Sequence, residues 1–270
     1  MLNALLNRIS SAAKRPPVVS VLRLNGAIGG AGFGRGLTDA GLAPLVERAF
    51  APKRLAAVAL SINSPGGSPT QSALIAARIR RLAADKDVPV IAFCEDVAAS
   101  GGYWLATAGD EIYADDNSII GSIGVIYAGF GFHAFLEKQG VERRVHTAGG
   151  SKSMLDPFKP EQEEDVARIK RLQGVIHDNF IAQVKDRRGA KLADGDLFTG
   201  EVWVGREAAD VGLIDGLGHL VPMMKARFGD KTRFNVVSPK RSLFKRLGGP
   251  GVSDIVDAFE ERALFARFGL

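Results

Sequence analysis

One cysteine, Cys94, stands in the whole sequence, so no disulfide can close within the chain and a disulfide-stapled scaffold is excluded. A reducing compartment suits that usage. No run of 18 unbroken apolar residues occurs, which argues against a membrane-spanning helix. Histidine is scarce: His133, His146, His177 and His219 are all there are, and no H-E-x-x-H or similar spacing joins them, so no metal site is expected. The glycine-rich stretch from Gly26 to Gly36 has no Walker lysine after it, and no cofactor is expected either. Aromatic residues make up 7% of the chain and no nucleic-acid-binding motif is present, so nucleic acid is not an expected partner.

What is present describes a soluble α/β protein. At 270 residues, 46% hydrophobic and 24% charged, the chain can bury an ample core as one large domain or two smaller ones. Its net charge of +5 is partly local. Lys225, Arg227, Lys231, Arg233, Lys240, Arg241, Lys245 and Arg246 face Asp230 alone, a solvated basic surface or one that meets an anionic membrane or acidic partner. Near the start, Leu2, Leu5, Leu6 and Ile9 share one helical face beside Arg8, Lys14 and Arg15. This segment is too short and interrupted for a signal peptide, and reads as an amphipathic helix packing on the body, on a partner subunit or at a membrane interface. The expected location is cytoplasmic or peripherally membrane-associated.

Strand patterns over 18–24, 55–62, 88–94, 110–114 and 233–237 alternate with helical ones over 40–50, 70–84, 130–139, 205–211 and 220–228. A further strand is expected over 141–147, a loop over 149–158, and a long helix from Pro160 to about Arg188 with acidic residues in its first turns. The tail from Val252 to Phe268 is amphipathic. Strands and helices alternating in this way imply a mainly parallel sheet with right-handed crossovers.

The chain is organised around Ala98-Ala99-Ser100-Gly101-Gly102-Tyr103-Trp104, a serine between an apolar strand and a helix. Such a serine is either an N-cap followed by glycines for close packing, or a nucleophile presented as in a nucleophile elbow, though G-x-S-x-G itself is absent. A nucleophile needs a proton acceptor. None of the four histidines lies in a Gly/Ser-rich loop that would present a base. Lys152 does, in Gly149-Gly150-Ser151-Lys152-Ser153, and lysine serves as a base where desolvation or a neighbouring positive charge lowers its pKa. A surface lysine is the other reading.

Four ordered motifs resemble the S49 signal peptide peptidase family: Asn63-Ser-Pro-Gly-Gly67, Ala98 through Trp104, Gly121-Ser-Ile-Gly-Val125, and Lys152 followed by Pro157-Phe158. The later segment from Gly200 to Asp215 is similar as well, so the resemblance spans roughly 18–220. It implies a ClpP/crotonase-like fold, with an N-terminal amphipathic segment over 1–17, a peptidase domain over 18–220 and a basic C-terminal segment over 221–270. It also implies a serine endopeptidase with a Ser–Lys dyad. Ser100 would be the nucleophile, Lys152 the general base and Ser122 the residue that orients the lysine. The amide of Gly101, with one from Gly66 or Gly67, would form the oxyanion hole. Implied partners are extended apolar peptides such as cleaved signal peptides, and further copies of the chain in a homo-oligomer. Family members known to be membrane-bound carry a spanning helix that this sequence does not show.

Three alternatives stay open. A ClpP-type enzyme would need a histidine soon after the serine, and His133 is the nearest downstream. An acyl-CoA-processing member of the fold would use the glycine amides but leave Ser100 and Lys152 without roles. A non-catalytic member would keep the fold as a scaffold.

Overall fold

The structure is a computed structural model that describes residues 16–29, 36–238 and 262–270. The N-terminal amphipathic segment, most of the glycine-rich stretch, the basic run beyond residue 238 and the start of the amphipathic tail lie outside the described residues.

The chain runs β1 (Val18–Asn25), α1 (Asp39–Ala49), β2 (Leu55–Ser64), α2 (Pro69–Lys86), β3 (Val90–Ala99), α3 (Gly101–Ala106), β4 (Glu111–Ala114) and β5 (Ile119–Gly121). It continues through α4 (His133–Lys138), α5 (Glu163–Arg188), β6 (Val202–Val204), α6 (Arg206–Asp210), β7 (Gly216–Leu217), α7 (Leu220–Phe228) and β8 (Arg233–Val237). The strands form one sheet in the order β6-β5-β3-β2-β1-β8, with β4 beside the first half of β3 and β7 beyond β4. Every pairing is parallel except β5 with β6.

Burial on both sheet faces explains why the central strands read as continuous apolar runs. Along β2, Val58, Leu60 and Ile62 point to the core under α1, α2 and α3, while Ala57 and Ala59 point the other way to Met224 of α7. β8 pairs with β1, and Met224 packs beneath the sheet, so residues 220–237 complete the same sheet and core as the unit before them. Sequence punctuation works where expected. Ser68 caps α2, with Pro69 at its first turn, and Thr38 caps α1 by accepting from Gly41 N–H.

Three expectations change. β3 continues past the expected end at residue 94 as far as Ala99, so the strand itself delivers Ser100. The long helix begins at Glu163 and not at Pro160. The 141–147 stretch forms no strand. It lies on an arm between β5 and α5 where no sheet edge meets it, and Glu142, Arg143 and Arg144 stay solvated or pair locally, Arg143 with Asp156 and Arg144 with Glu142. β6 and β7, three and two residues long, carry too little pattern to be anticipated.

Candidate active site

Parallel strands present functional groups at their C-terminal ends, and Ser100 comes directly after the last residue of β3. Its backbone takes φ 52° and ψ −121°, a region L residues rarely occupy. Two hydrogen bonds hold it there: Ser100 N–H donates to Gly121 O at 2.8 Å, and Trp104 N–H donates to Ser100 O at 3.0 Å. A capping serine accepts from an N–H two or three residues on, and Ser100 makes no such bond. The strained turn therefore leaves the hydroxyl without a capping task.

The Gly66-Gly67 turn is pressed against this serine. A Cβ on Gly66 would stand 2.8 Å from Ser100 Cβ and 2.9 Å from Gly101 N, and the residue has φ 103°. At Gly67, with φ 142°, a Cβ would overlap Ile28 O. Ile28 N–H donates to Gly66 O, and Ser68 N–H donates to Ile28 O, both at 2.8 Å, so the bridge that pins the turn leaves the Gly67 N–H out of it. Gly67 N lies 3.4 Å from where a Gly101 Cβ would be, and the Gly101 N–H, first in its helix, has no intrahelical acceptor. Gly67, Gly101 and Ser100 thus border one small cavity. Neither Ile28 nor Ser68 was a sequence candidate; the Ser68-Pro69 helix start was the available signal.

Ser122 is the next neighbour. Ala99 pairs with Gly121 across β3 and β5, so Ser100 and Ser122 leave adjacent strands side by side, each with φ 52°. Ser122 N–H is fixed to Glu201 O at 2.7 Å. On α5, His177 Nε2 lies 3.1 Å from Ile123 O and ties the segment after Ser122 to the long helix, a structural use of histidine. The small cavity at Ser100 is bordered by Gly67, Pro69, Trp104, Val125, Ile176 and Phe180, with no charged side chain among them. Trp104 and Phe180 close one side, their rings stacked at 4.8 Å and 22°.

Lys152 is not part of this cluster within one chain. It sits on an exposed turn of the 125–162 arm, does not line the cavity at Ser100, and its side chain makes no hydrogen bond or ion pair among the described residues. The expected convergence of the amine and the hydroxyl in one dry pocket is thus absent from the single chain. Without the 141–147 strand, no strand among the described residues pairs the arm to the sheet. Instead the arm folds on itself, with Phe132 N–H bonded to Pro157 O at 2.6 Å and the Phe132 and Phe158 rings 5.8 Å apart. Between arm and α5 lies a cleft of about 1160 Å³, bordered by Ser151 and Ser153 on either side of Lys152 and by Tyr127, Phe130 and Met154.

Cys94 offers no second nucleophile. It is buried in β3, and burial, with the nearby Glu95 charge, pushes its thiol up to about 12. No helix among the described residues is long and apolar enough to cross a membrane.

Comparison with known proteins places this geometry. The profile of Peptidase family S49 matches residues 83–226. The chain is 49% identical over 271 residues to a protein named Na(+)/H(+) antiporter NhaA from Brucella melitensis, across 93% of this chain and 37% of that protein. It is 34% identical over 171 residues to the putative signal peptide peptidase SppA of Enterococcus faecium, covering 62% of this chain and 48% of that one. The chain thus spans less than half the length of these relatives. Among solved structures, a mutant of the 1510-N membrane-bound stomatin-specific protease aligns with a TM-score of 0.51 at 14% identity, over 84% of this chain and 99% of that one. The ClpP-like α/β fold expected from the resemblance is borne out. The chain belongs to peptidase family S49.

Proposed function

We propose that this chain is a serine endopeptidase that hydrolyses extended apolar peptides, cleaved signal peptides among them, with Ser100 as nucleophile and Lys152 as general base. The observation that carries the reading is a serine held at positive φ, free of any capping bond, beside the Gly67 and Gly101 amides. Ser100 Oγ attacks the scissile carbonyl carbon as its proton passes to the unprotonated amine of Lys152. The carbonyl oxygen becomes an oxyanion, and donors of this kind are worth about 2.7–4 kcal/mol each in the transition state. Lys152 then gives the proton to the leaving amine; it next takes one from a water that attacks the acyl carbon, and returns it to Ser100 Oγ as the acid leaves. Ser122, one strand over, is suited to orient the lysine. The uncharged lining at Ser100 supports a reaction shielded from water.

The placement of Lys152 supports a homo-oligomeric enzyme. It stands on an arm whose Ile126, Phe130 and Phe135 are 66%, 81% and 60% exposed, a surface that assembly would cover. In that assembly Lys152 of one copy serves Ser100 of another. Ser100→Ala and Lys152→Ala should each abolish hydrolysis of a fluorogenic apolar peptide while circular dichroism stays unchanged. Mixing the two inactive proteins should restore part of the activity. Hydrolysis that persists in Ser100→Ala would refute the assignment.

A further inference from the structure

The strands that carry the two halves of the site are out of step just before it. Ile62 of β2 pairs with Cys94 of β3, and Ser64 pairs with Ala98, so the single residue Asn63 faces three residues, Glu95, Asp96 and Val97. Bulges of this kind re-aim the chain downstream of them. The downstream residues here are Gly66-Gly67 after β2 and Ser100 after β3, each three or four positions on.

One side chain spans the irregularity. Asn63 Nδ2 donates to Asp96 Oδ2 at 2.5 Å, and Val97 N–H donates to Asn63 Oδ1 at 3.3 Å. The Asn63 carbonyl accepts from Gly26 N–H at 2.9 Å, which ties the same residue to the end of β1. A primary amide has the donor and the acceptor that these two bonds require, where a carboxylate has only acceptors. Val97 itself is fully buried, so loss of the Asn63 oxygen would take the partner from a backbone N–H that has little access to water.

We propose that Asn63 is a positioning residue for hydrolysis: by clamping the bulge in β3 it sets Ser100 against the Gly67 and Gly101 amides. The proposal rests on the reading of Ser100 as nucleophile. Asn63 touches no substrate and acts through the register of β2 and β3.

The test is steady-state kinetics on a fluorogenic peptide with the full chain, in N63A, N63D, D96N and the reciprocal double variant N63D/D96N, at a temperature well below each melting transition. N63A and N63D should lose about 10- to 100-fold in kcat with KM nearly unchanged, the scale on which small misplacements of a reacting group act. D96N alone keeps an acceptor for Asn63 and should stay near wild type. In the double variant, the carboxylate at position 63 accepts from Val97 N–H and the amide at position 96 donates to it. That swap should return kcat to within about threefold of wild type, a coupling that additive effects do not produce. The swap also serves as the test if N63A fails to fold. Wild-type kcat in N63A or N63D, or a double variant that regains its melting temperature but not its kcat, would overturn the clamp. Hydrolysis surviving Ser100→Ala would instead overturn the nucleophile, and the clamp with it.

Discussion

At the scale of single residues, the site depends on what glycine permits. Gly67 has φ 142°, and a methyl group there would overlap the Ile28 carbonyl oxygen that pins the turn. Gly67→Ala should therefore move the turn away from Ser100, cost about 1–3 kcal/mol in strain, and remove most peptide hydrolysis. Paired melting and activity measurements check this, and a variant with normal activity would show that the amide is not used. That Ser100, Gly66, Gly67 and Gly101 mark tight turns was legible from their small residues, while the roles expected of them come from the family resemblance. Lys152 is expected as the base from the resemblance, yet its place is not readable from sequence, because nothing within its loop determines where an arm points.

A second residue-scale outcome concerns Asp215. Burial alone would raise its carboxyl, but hydrogen bonds from Arg188, Lys191 and Ile112 N–H outweigh it, so the group titrates below the ordinary carboxylate range. Arg188 is itself buried, holding Asp215 Oδ2 at 2.7 Å and Gly212 O at 2.8 Å. A carboxyl with a lower pKa folded than unfolded stabilises the fold above its unfolded value, about 3.9, and that contribution disappears as pH falls through the folded one. Asp215→Asn should lose about 3–5 kcal/mol at neutral pH, since it leaves a buried guanidinium without its charge partner. The gap from wild type should narrow as pH falls below about 4, where the wild-type carboxyl takes up its proton. Denaturant melts across that range measure both effects.

At the scale of elements, β3 and α5 hold the site in place. β3 pairs with β4 through its first half and with β5 through its second, so β5 flanks the strand end from which Ser100 emerges. Phe180 of α5 stacks on Trp104 just after Ser100. Phe180→Ala should cost about 3–5 kcal/mol by opening a cavity in the core, readable as a fall in the urea midpoint. The central strands were readable because both of their faces are buried, which leaves long branched-residue runs. The 141–147 segment has the same local composition as a strand, yet a strand needs a partner edge, and that is a tertiary fact.

At the scale of the whole molecule, apolar surface gathers on the 125–162 arm, away from the sheet and its core. Phe130 is 81% exposed, so Phe130→Asp should leave the melting temperature of the separated chain nearly unchanged, within about 0.5 kcal/mol in stability. It should nevertheless lower the mass seen by analytical ultracentrifugation and the peptidase activity together. A monomeric wild type with full activity would contradict this. Part of the basic surface is already engaged, since Arg227 pairs with Glu111 at 2.7 Å and, with Tyr113, holds that carboxyl below its usual range.

The most direct measurement is covalent labelling of the wild-type chain with a fluorophosphonate, then mass-spectrometric mapping of the adduct. The adduct should fall on Ser100, its formation should track loss of peptide hydrolysis, and Ser100→Ala should show neither label nor turnover. A label on another serine, or undiminished hydrolysis by Ser100→Ala, would contradict the account.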